Sequence, residues 1–171
     1  CSEIILRSRE FCNLSEVVIR EEDTEETLKE KVKLATIIGT WQSTLTNFKY
    51  LNKKWKENCE EERLLGVSMT GIMDNELTNG KTEGLKELLD NLKQVAIDTN
   101  AQWAKKLSIN PSSAITCVKP SGTVSQLVDS ASGIHARHSQ YYIRTVRADK
   151  KDPLAKMMKD VGFPCEDDVT K

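Results

Sequence analysis

The sequence lacks most of the features that would assign it to a class at a glance. It has no apolar run approaching the roughly 20 residues that a membrane helix needs, and no basic start leading into an apolar stretch as in a signal peptide. A cytoplasmic location and no membrane partner are therefore expected. A surplus of one charge is missing too: 25 basic residues face 26 acidic ones, for a net charge of −1. Broad attraction to nucleic acid is excluded on that balance, and any phosphate recognition has to be local. The five cysteines (Cys1, Cys12, Cys59, Cys117 and Cys165) are odd in number and include no C-x-x-C, while the histidines are His135 and His138 alone. Neither a disulfide framework nor a metal site is expected from such spacings.

What is present is an ordinary globular composition. With 171 residues, 38% hydrophobic and 30% charged, the chain is long enough to bury a core. It shows no internal repeat and no low-complexity tract. "EIIL" and "LSEVVI" read as short extended segments around a turn at residues 7–10. From Asp23 or Thr24, which can cap a helix, Leu28, Val32, Ala35 and Ile38 recur at helical spacing, and Trp41, Leu45 and Phe48 carry an apolar face on to about Lys49. "LLGVSMTGIMD" reads as a buried strand or turn where backbone comes close to a neighbour. Residues 83–107 form the clearest helix, with Leu85, Leu88, Leu92, Ala96 and Trp103 on one stripe. "AITCV" is a short apolar strand, "KPSGTVSQLVDS" a turn opening into a helix, "YYIRTVR" an alternating strand, and residues 152–161 a short helix. Alternating helices and short apolar strands predict an α/β fold.

Two stretches carry candidate chemistry. In Pro120, Ser121, Gly122 and Thr123, small residues expose backbone N–H groups at a helix start, a geometry that attracts phosphate. An ordinary capped turn accounts for the same residues, and the P-loop pattern is absent. His135, Arg137, His138, Arg144 and Arg147 can add charge to such a site or form a solvated rim, and packing accounts for the Tyr141–Tyr142 pair. At the other end, Cys1 and Glu3 share a face if the start is extended. A carboxylate beside a thiol opposes thiolate formation, which disfavours a cysteine protease and suits a neutral S–H with a separate base. Cys12 reads either as a partner thiol on an adjoining segment or as a buried packing residue. Cys59, Cys117 and Cys165 are assigned no function.

In order along the chain, "CSEIIL...EFCNLSEVV", "ERLLGVSMTGIMD" and "KPSGTVSQLVDSASGIHARHSQYYIRTVR" together resemble the catalytic subunit of ribonucleotide reductase, from Cys1 to about Gly162. The last block is more similar to the adenosylcobalamin-dependent class than to the di-iron class, and within it to the monomeric triphosphate reductases. The resemblance implies part of a ten-stranded α/β barrel, with Cys1 on the central finger loop and residues 1–171 as its C-terminal portion. It implies that Cys1 becomes a thiyl radical and removes the ribose 3′-hydrogen, that Glu3 accepts the 3′-hydroxyl proton, and that Cys12 delivers reducing equivalents. Residues 120–123 would then hold the substrate phosphates, adenosylcobalamin would be the cofactor, and a thioredoxin-like dithiol the reductant. A start at the radical cysteine implies an N-terminal half on another chain, separated by an intein junction, gene split or truncation. An open sheet edge is expected where its strands belong. The alternatives are a di-iron class subunit and a non-catalytic phosphate-binding module.

Overall fold

The structure is a computed structural model that describes residues 3–169. One compact unit runs to Arg137 and a second begins at His138.

The first unit is built on two parallel strands, β1 (Asn13–Val18) and β2 (Leu65–Thr70), paired from Asn13 opposite Leu65 to Val18 opposite Thr70. Residues 114–117 run along the other edge of β2. There Leu65 and Val67 donate to the carbonyls of Ala114 (2.9 Å) and Ile115 (2.8 Å), and Cys117 donates back to Val67 (3.0 Å). The predicted "AITCV" strand is thus real but only one bridge long, pairing Val67 with Thr116. Among the described residues no strand pairs with the outer edge of β1.

Between the strands lie α1 (Glu25–Gln42) and α2 (Lys53–Glu62). Thr24 caps α1 in a capping box with Thr27, and Glu25 and Glu26 favour the positive end of the helix. The helix stops at Gln42, short of the expected Lys49. Thr44, Leu45 and Thr46 instead take part in tight turns, their N–H groups reaching carbonyls two or three residues back. α2 was not anticipated: its apolar side is confined to Trp55 and Cys59, too few for a periodic stripe. It ends at Arg63, which adopts the left-handed conformation (φ 45°), is buried, and donates from Nη1 to the Ser43 carbonyl (2.7 Å) at the C-terminal end of α1. A guanidinium fits there because the carbonyl end of a helix is negative.

α3 (Leu85–Leu107) follows its expected span to within two residues. Leu28, Val32 and Ala35 of α1 and Leu88, Leu92 and Ala96 of α3 close over Val17, Ile19 and Val67 to form the core. A polar seam continues it: Asn100 Nδ2 donates to Thr40 Oγ1 (3.0 Å) and Ser112 Oγ (2.9 Å), while its Oδ1 accepts from the Ser112 N–H (2.8 Å). Gly71 turns the chain at the end of β2 with φ 79°. A Cβ there would lie 2.4 Å from the Ile19 carbonyl oxygen, so a side chain is excluded.

In the second unit the short helix expected at residues 152–161 forms as α5 (Pro153–Asp160; the first unit also holds the short α4, Thr123–Leu127), capped by Asp152 and starting on proline. The "YYIRTVR" strand does not form. Alternation makes a strand only where a partner strand and a covered face exist, and here Ile143 and Val146 are exposed. Tyr141 and Tyr142 are also solvent-facing rather than packed in a core. Among the described residues no helix is long and apolar enough to cross a membrane.

The packing predicts a contrast on one helix. Leu28→Ala, at a fully buried position, should lower unfolding stability by about 2–5 kcal/mol. Leu34→Ala, at a position 57% exposed, should change it by less than about 0.5 kcal/mol. Urea denaturation of the two variants measures both.

Candidate functional site

The candidate site lies on the face of the sheet turned away from the core. Val17 and Val67 point to the helices, so Leu14 and its partner Gly66 point the other way, and Cys12, two residues before Leu14, continues that side. Gly66 makes the face possible. A Cβ on it would come within 2.5 Å of Leu14 Cδ2, 2.7 Å of Ile4 Cδ1 and 3.1 Å of Cys117 Sγ. The strand, the segment after Glu3 and the Cys117 thiol therefore converge on one missing side chain.

Charge follows the same convergence. Desolvation raises the Cys12 thiol above its ordinary value, and the carboxylates of Glu3 and Glu10 push it further. Cys117 is raised first by burial, then by Cys12 and by Glu3, with Lys119 opposing. Both are thus neutral thiols at physiological pH, the form that suits hydrogen-atom and two-electron chemistry with a separate base. The Glu3 carboxylate thus acts on both thiols; the expected pairing of Glu3 with Cys1 falls on Cys1, which lies outside the described residues. The segment from Glu3 to Leu6 is bent rather than strand-like, so the expected extended start is not formed there.

Residues 7–11, which link Glu3 to Cys12, are held by α2. Arg7 pairs with Glu61 (3.0 Å) and Glu62 (3.1 Å), and its N–H donates to the buried Glu10 carboxylate (3.0 Å). Asn58 donates to the carbonyls of Ser8 (3.0 Å) and Arg9 (3.2 Å). The Phe11 N–H reaches Cys59 Sγ (3.3 Å), and its ring stacks on Trp55 at 4.6 Å. Asn58, Cys59 and Trp55 are the site-building residues that sequence reasoning missed, because their partners lie about fifty positions away. Burial is the first cause that raises Cys59, and beside Cys12 it lines a cavity of about 260 Å³ with Phe11, Gln42 and Phe48. A larger, open depression of about 590 Å³ is walled by Thr44, Phe48, Lys53 and Lys56.

The expected phosphate loop follows Cys117 directly. Pro120, Ser121, Gly122 and Thr123 lead into the short helix α4 (Thr123–Leu127), which no side chain caps at its N-terminus. Ser121 is buried, and its Oγ has no hydrogen-bond partner among the described residues. The loop's carbonyls are occupied: Ser125 Oγ donates to Gly122 (2.7 Å) and Ser132 Oγ to Ser121.

A clamp holds this loop to the end of β2. Arg137 is not free for phosphate. Its Nε and Nη2 grip Asp74 (3.0 and 3.2 Å), and its Nη1 and Nη2 reach the Asp129 carboxylate (2.9 Å) and carbonyl (3.0 Å). Asp74 also accepts from the Ala131 N–H (2.7 Å), and Thr70 Oγ1 donates to the Ala131 carbonyl (2.8 Å) and accepts from the Gly133 N–H (2.9 Å). The hydrogen bonds and charge of Arg137 hold the Asp129 carboxyl below the usual range. Among the described residues no cluster suited to a metal ion occurs. Asp74→Ala removes the acceptor of the Ala131 N–H. Amide hydrogen exchange at Ala131 should accelerate about tenfold or more, whereas exchange in the centre of α3 should not change.

No family model matches the chain. Among curated proteins it is similar to the adenosylcobalamin-dependent ribonucleoside-triphosphate reductases of Lactobacillus acidophilus (30% identity) and Lactobacillus gasseri (32%), over 99% of this chain in each case. The corresponding reductase of Lactobacillus leichmannii is 30% identical over the same share. The chain spans 26% of the length of each, about a quarter rather than the half expected from sequence. Among solved structures, a crystal structure of a B-12 dependent (class II) ribonucleotide reductase covers all of this chain with a TM-score of 0.73 and 27% identity, over 27% of its own length. Sequence and fold agree along the whole of what is present: the chain is similar throughout to about a quarter of the length of the adenosylcobalamin-dependent ribonucleotide reductases.

Proposed function

We propose that this chain supplies the catalytic cysteine segment, one reducing thiol and the substrate-phosphate loop of an enzyme that reduces ribonucleoside triphosphates to deoxyribonucleotides. The observation that carries the reading is the convergence of Ile4, Leu14 and Cys117 at Gly66, where the Glu3 carboxylate acts on both Cys12 and Cys117, with a buried serine hydroxyl left without a partner in the loop that follows Cys117. In this reading the strands and α2 form part of the ten-stranded barrel, and Cys1 sits on the finger loop at its centre.

The steps assigned to this chain's residues are few. Cys1, as a thiyl radical, takes the ribose 3′-hydrogen and later returns it. Glu3 accepts the 3′-hydroxyl proton as the 2′-hydroxyl leaves with a proton as water. Cys12 and a second thiol outside this chain give two electrons and two protons and end as a disulfide, which a thioredoxin-like dithiol reduces. Ser121 Oγ and the backbone N–H groups from Gly122 onward hold the phosphates. The docking of residues 7–11 on α2 fixes Glu3 and Cys12 relative to each other, which positions base and reductant before substrate arrives.

Adenosylcobalamin, named for the relatives, belongs to this proposal for the whole enzyme. Neither of the two cavities above is its seat: the smaller is far too small for a corrin, and the larger is an open dip on a loop. No step is derived through it.

The test joins this chain to the N-terminal portion of a matching reductase, with adenosylcobalamin, a ribonucleoside triphosphate and a dithiol, and measures deoxynucleotide formed. The wild-type assembly should turn over, Cys1→Ala should fall to background, and Ser121→Ala should raise KM about tenfold with little change in kcat. Turnover that persists in Cys1→Ala would end the assignment.

A further inference from the structure

We propose that Asn79 is a site of spontaneous covalent modification: the Gly80 backbone nitrogen attacks the Asn79 carboxamide, and the cyclic imide that results hydrolyses to aspartate or isoaspartate.

The attack needs a backbone nitrogen that a side-chain carboxamide can approach. Asn79 is the one asparagine of this chain that precedes glycine. A Cβ on the following residue crowds the approach to that residue's nitrogen, and glycine removes the obstacle. Gly80 is exposed and turns the chain with φ 81°; chain neighbours aside, the only atom within 4 Å of a Cβ built on it is Leu85 Cδ2, at 3.9 Å. Its N–H donates to no acceptor among the described residues, so no hydrogen bond has to break before the nitrogen loses its proton.

The carboxamide is already turned toward that nitrogen. Asn79 Oδ1 accepts the Lys81 N–H (3.0 Å), which draws the side chain forward over the Gly80 peptide. The turn itself is fixed: the Asn79 N–H reaches the Asn75 carbonyl (3.0 Å), and Thr82 Oγ1 donates to the Glu76 carbonyl (3.0 Å). Asn75 is buried and anchors the turn from below, with Nδ2 donating to the carbonyls of Arg20, Glu21 and Asp23. Attacking nitrogen and target carbon are therefore kept side by side.

Other asparagines lack one or both conditions. Asn110 precedes proline, whose nitrogen has no proton to lose. Asn58, Asn75 and Asn100 are buried, and their side-chain amides are engaged with carbonyls or hydroxyls.

The reaction balances with water as the only co-reactant. The Gly80 nitrogen gives its proton to solvent and bonds to Asn79 Cγ, the Cγ–Nδ2 bond breaks, and the amide nitrogen leaves as ammonia with protons from water. Water then opens the ring. Cleavage of the new bond at Cγ leaves aspartate, whereas cleavage at the Asn79 backbone carbonyl leaves isoaspartate, whose main chain is longer by a methylene. Either product places a carboxylate in the segment between Asp74 and α3. The inference is independent of the reductase reading.

The experiment incubates the full wild-type chain in mildly alkaline buffer, folded and in concentrated urea. Peptides are then quantified by mass spectrometry, with isoaspartate separated from aspartate by chromatography. In the folded chain Asn79 should convert at least about tenfold faster than any other asparagine, giving both products. Its rate should also lie within about tenfold of the rate in urea. An Asn79 that stays intact in the folded chain overturns the proposal whatever it does in urea, because the turn then protects the residue. Conversion spread evenly over the asparagines overturns it as well. Both readouts use the wild-type chain, so neither depends on a variant folding.

Discussion

The register of β1 against β2 is the constraint on which the rest of this structure depends. With Val18 opposite Thr70, the end of β2 meets Ile19 and turns at Gly71. With Leu14 opposite Gly66, the face away from the core gains a gap where the segment after Glu3 and the Cys117 thiol can settle. A slip of one residue would turn Val17 out of the core and move Leu14 off the glycine, since side chains alternate across a strand. Core and candidate site are therefore specified by a single pairing. The αβ arrangement follows from it, because parallel strands need a crossover and here α1 and α2 provide it.

Two anchoring systems convert that pairing into a site. At one end, α2 grips residues 7–11 through Arg7, Asn58 and the ring stack of Phe11 on Trp55. Each surface ion pair in this group contributes little alone. The hydrogen bonds to backbone carbonyls are the directional part, and they fix a turn in which Arg9 has φ 65°. At the other end, the Asp74–Arg137–Asp129 clamp and the Thr70 hydroxyl hold residues 129–133, whose Ser132 bonds back to the loop at Ser121. Planar, bidentate contact of guanidinium with carboxylate gives this clamp a direction that a lysine would lack. The thiols and the phosphate loop are thus held from opposite ends of β2.

Much of this was legible in the sequence, for identifiable reasons. α1 and α3 carry long apolar stripes, and Thr24 is a strong cap, so their starts could be read within a residue or two. Glu3, Cys12 and residues 120–123 stood out as residue types suited to their chemistry. α2 was hidden because it spends its side chains on the turn before β1 rather than on a core, a purpose that periodicity does not record. "YYIRTVR" misled for the opposite reason: it has the alternation of a strand without a partner to pair with. Arg137 looked like a candidate phosphate ligand because sequence gives charge but not the two aspartates, 63 and 8 positions away, that claim it. Cys117 showed no signal at all, since its place over Gly66 arises only once residues 114–117 run along the edge of β2.

The account rests on Glu3, Cys12 and Cys117 sharing one face, and the pH dependence of thiol alkylation measures that directly. A carboxylate near a thiol disfavours the thiolate, so replacing Glu3 with glutamine should lower the apparent pKa of both thiols. With each site followed by peptide mass spectrometry, the rate profiles of Cys12 and Cys117 in Glu3→Gln should move together toward lower pH. Profiles identical to wild type at both cysteines would contradict the shared face.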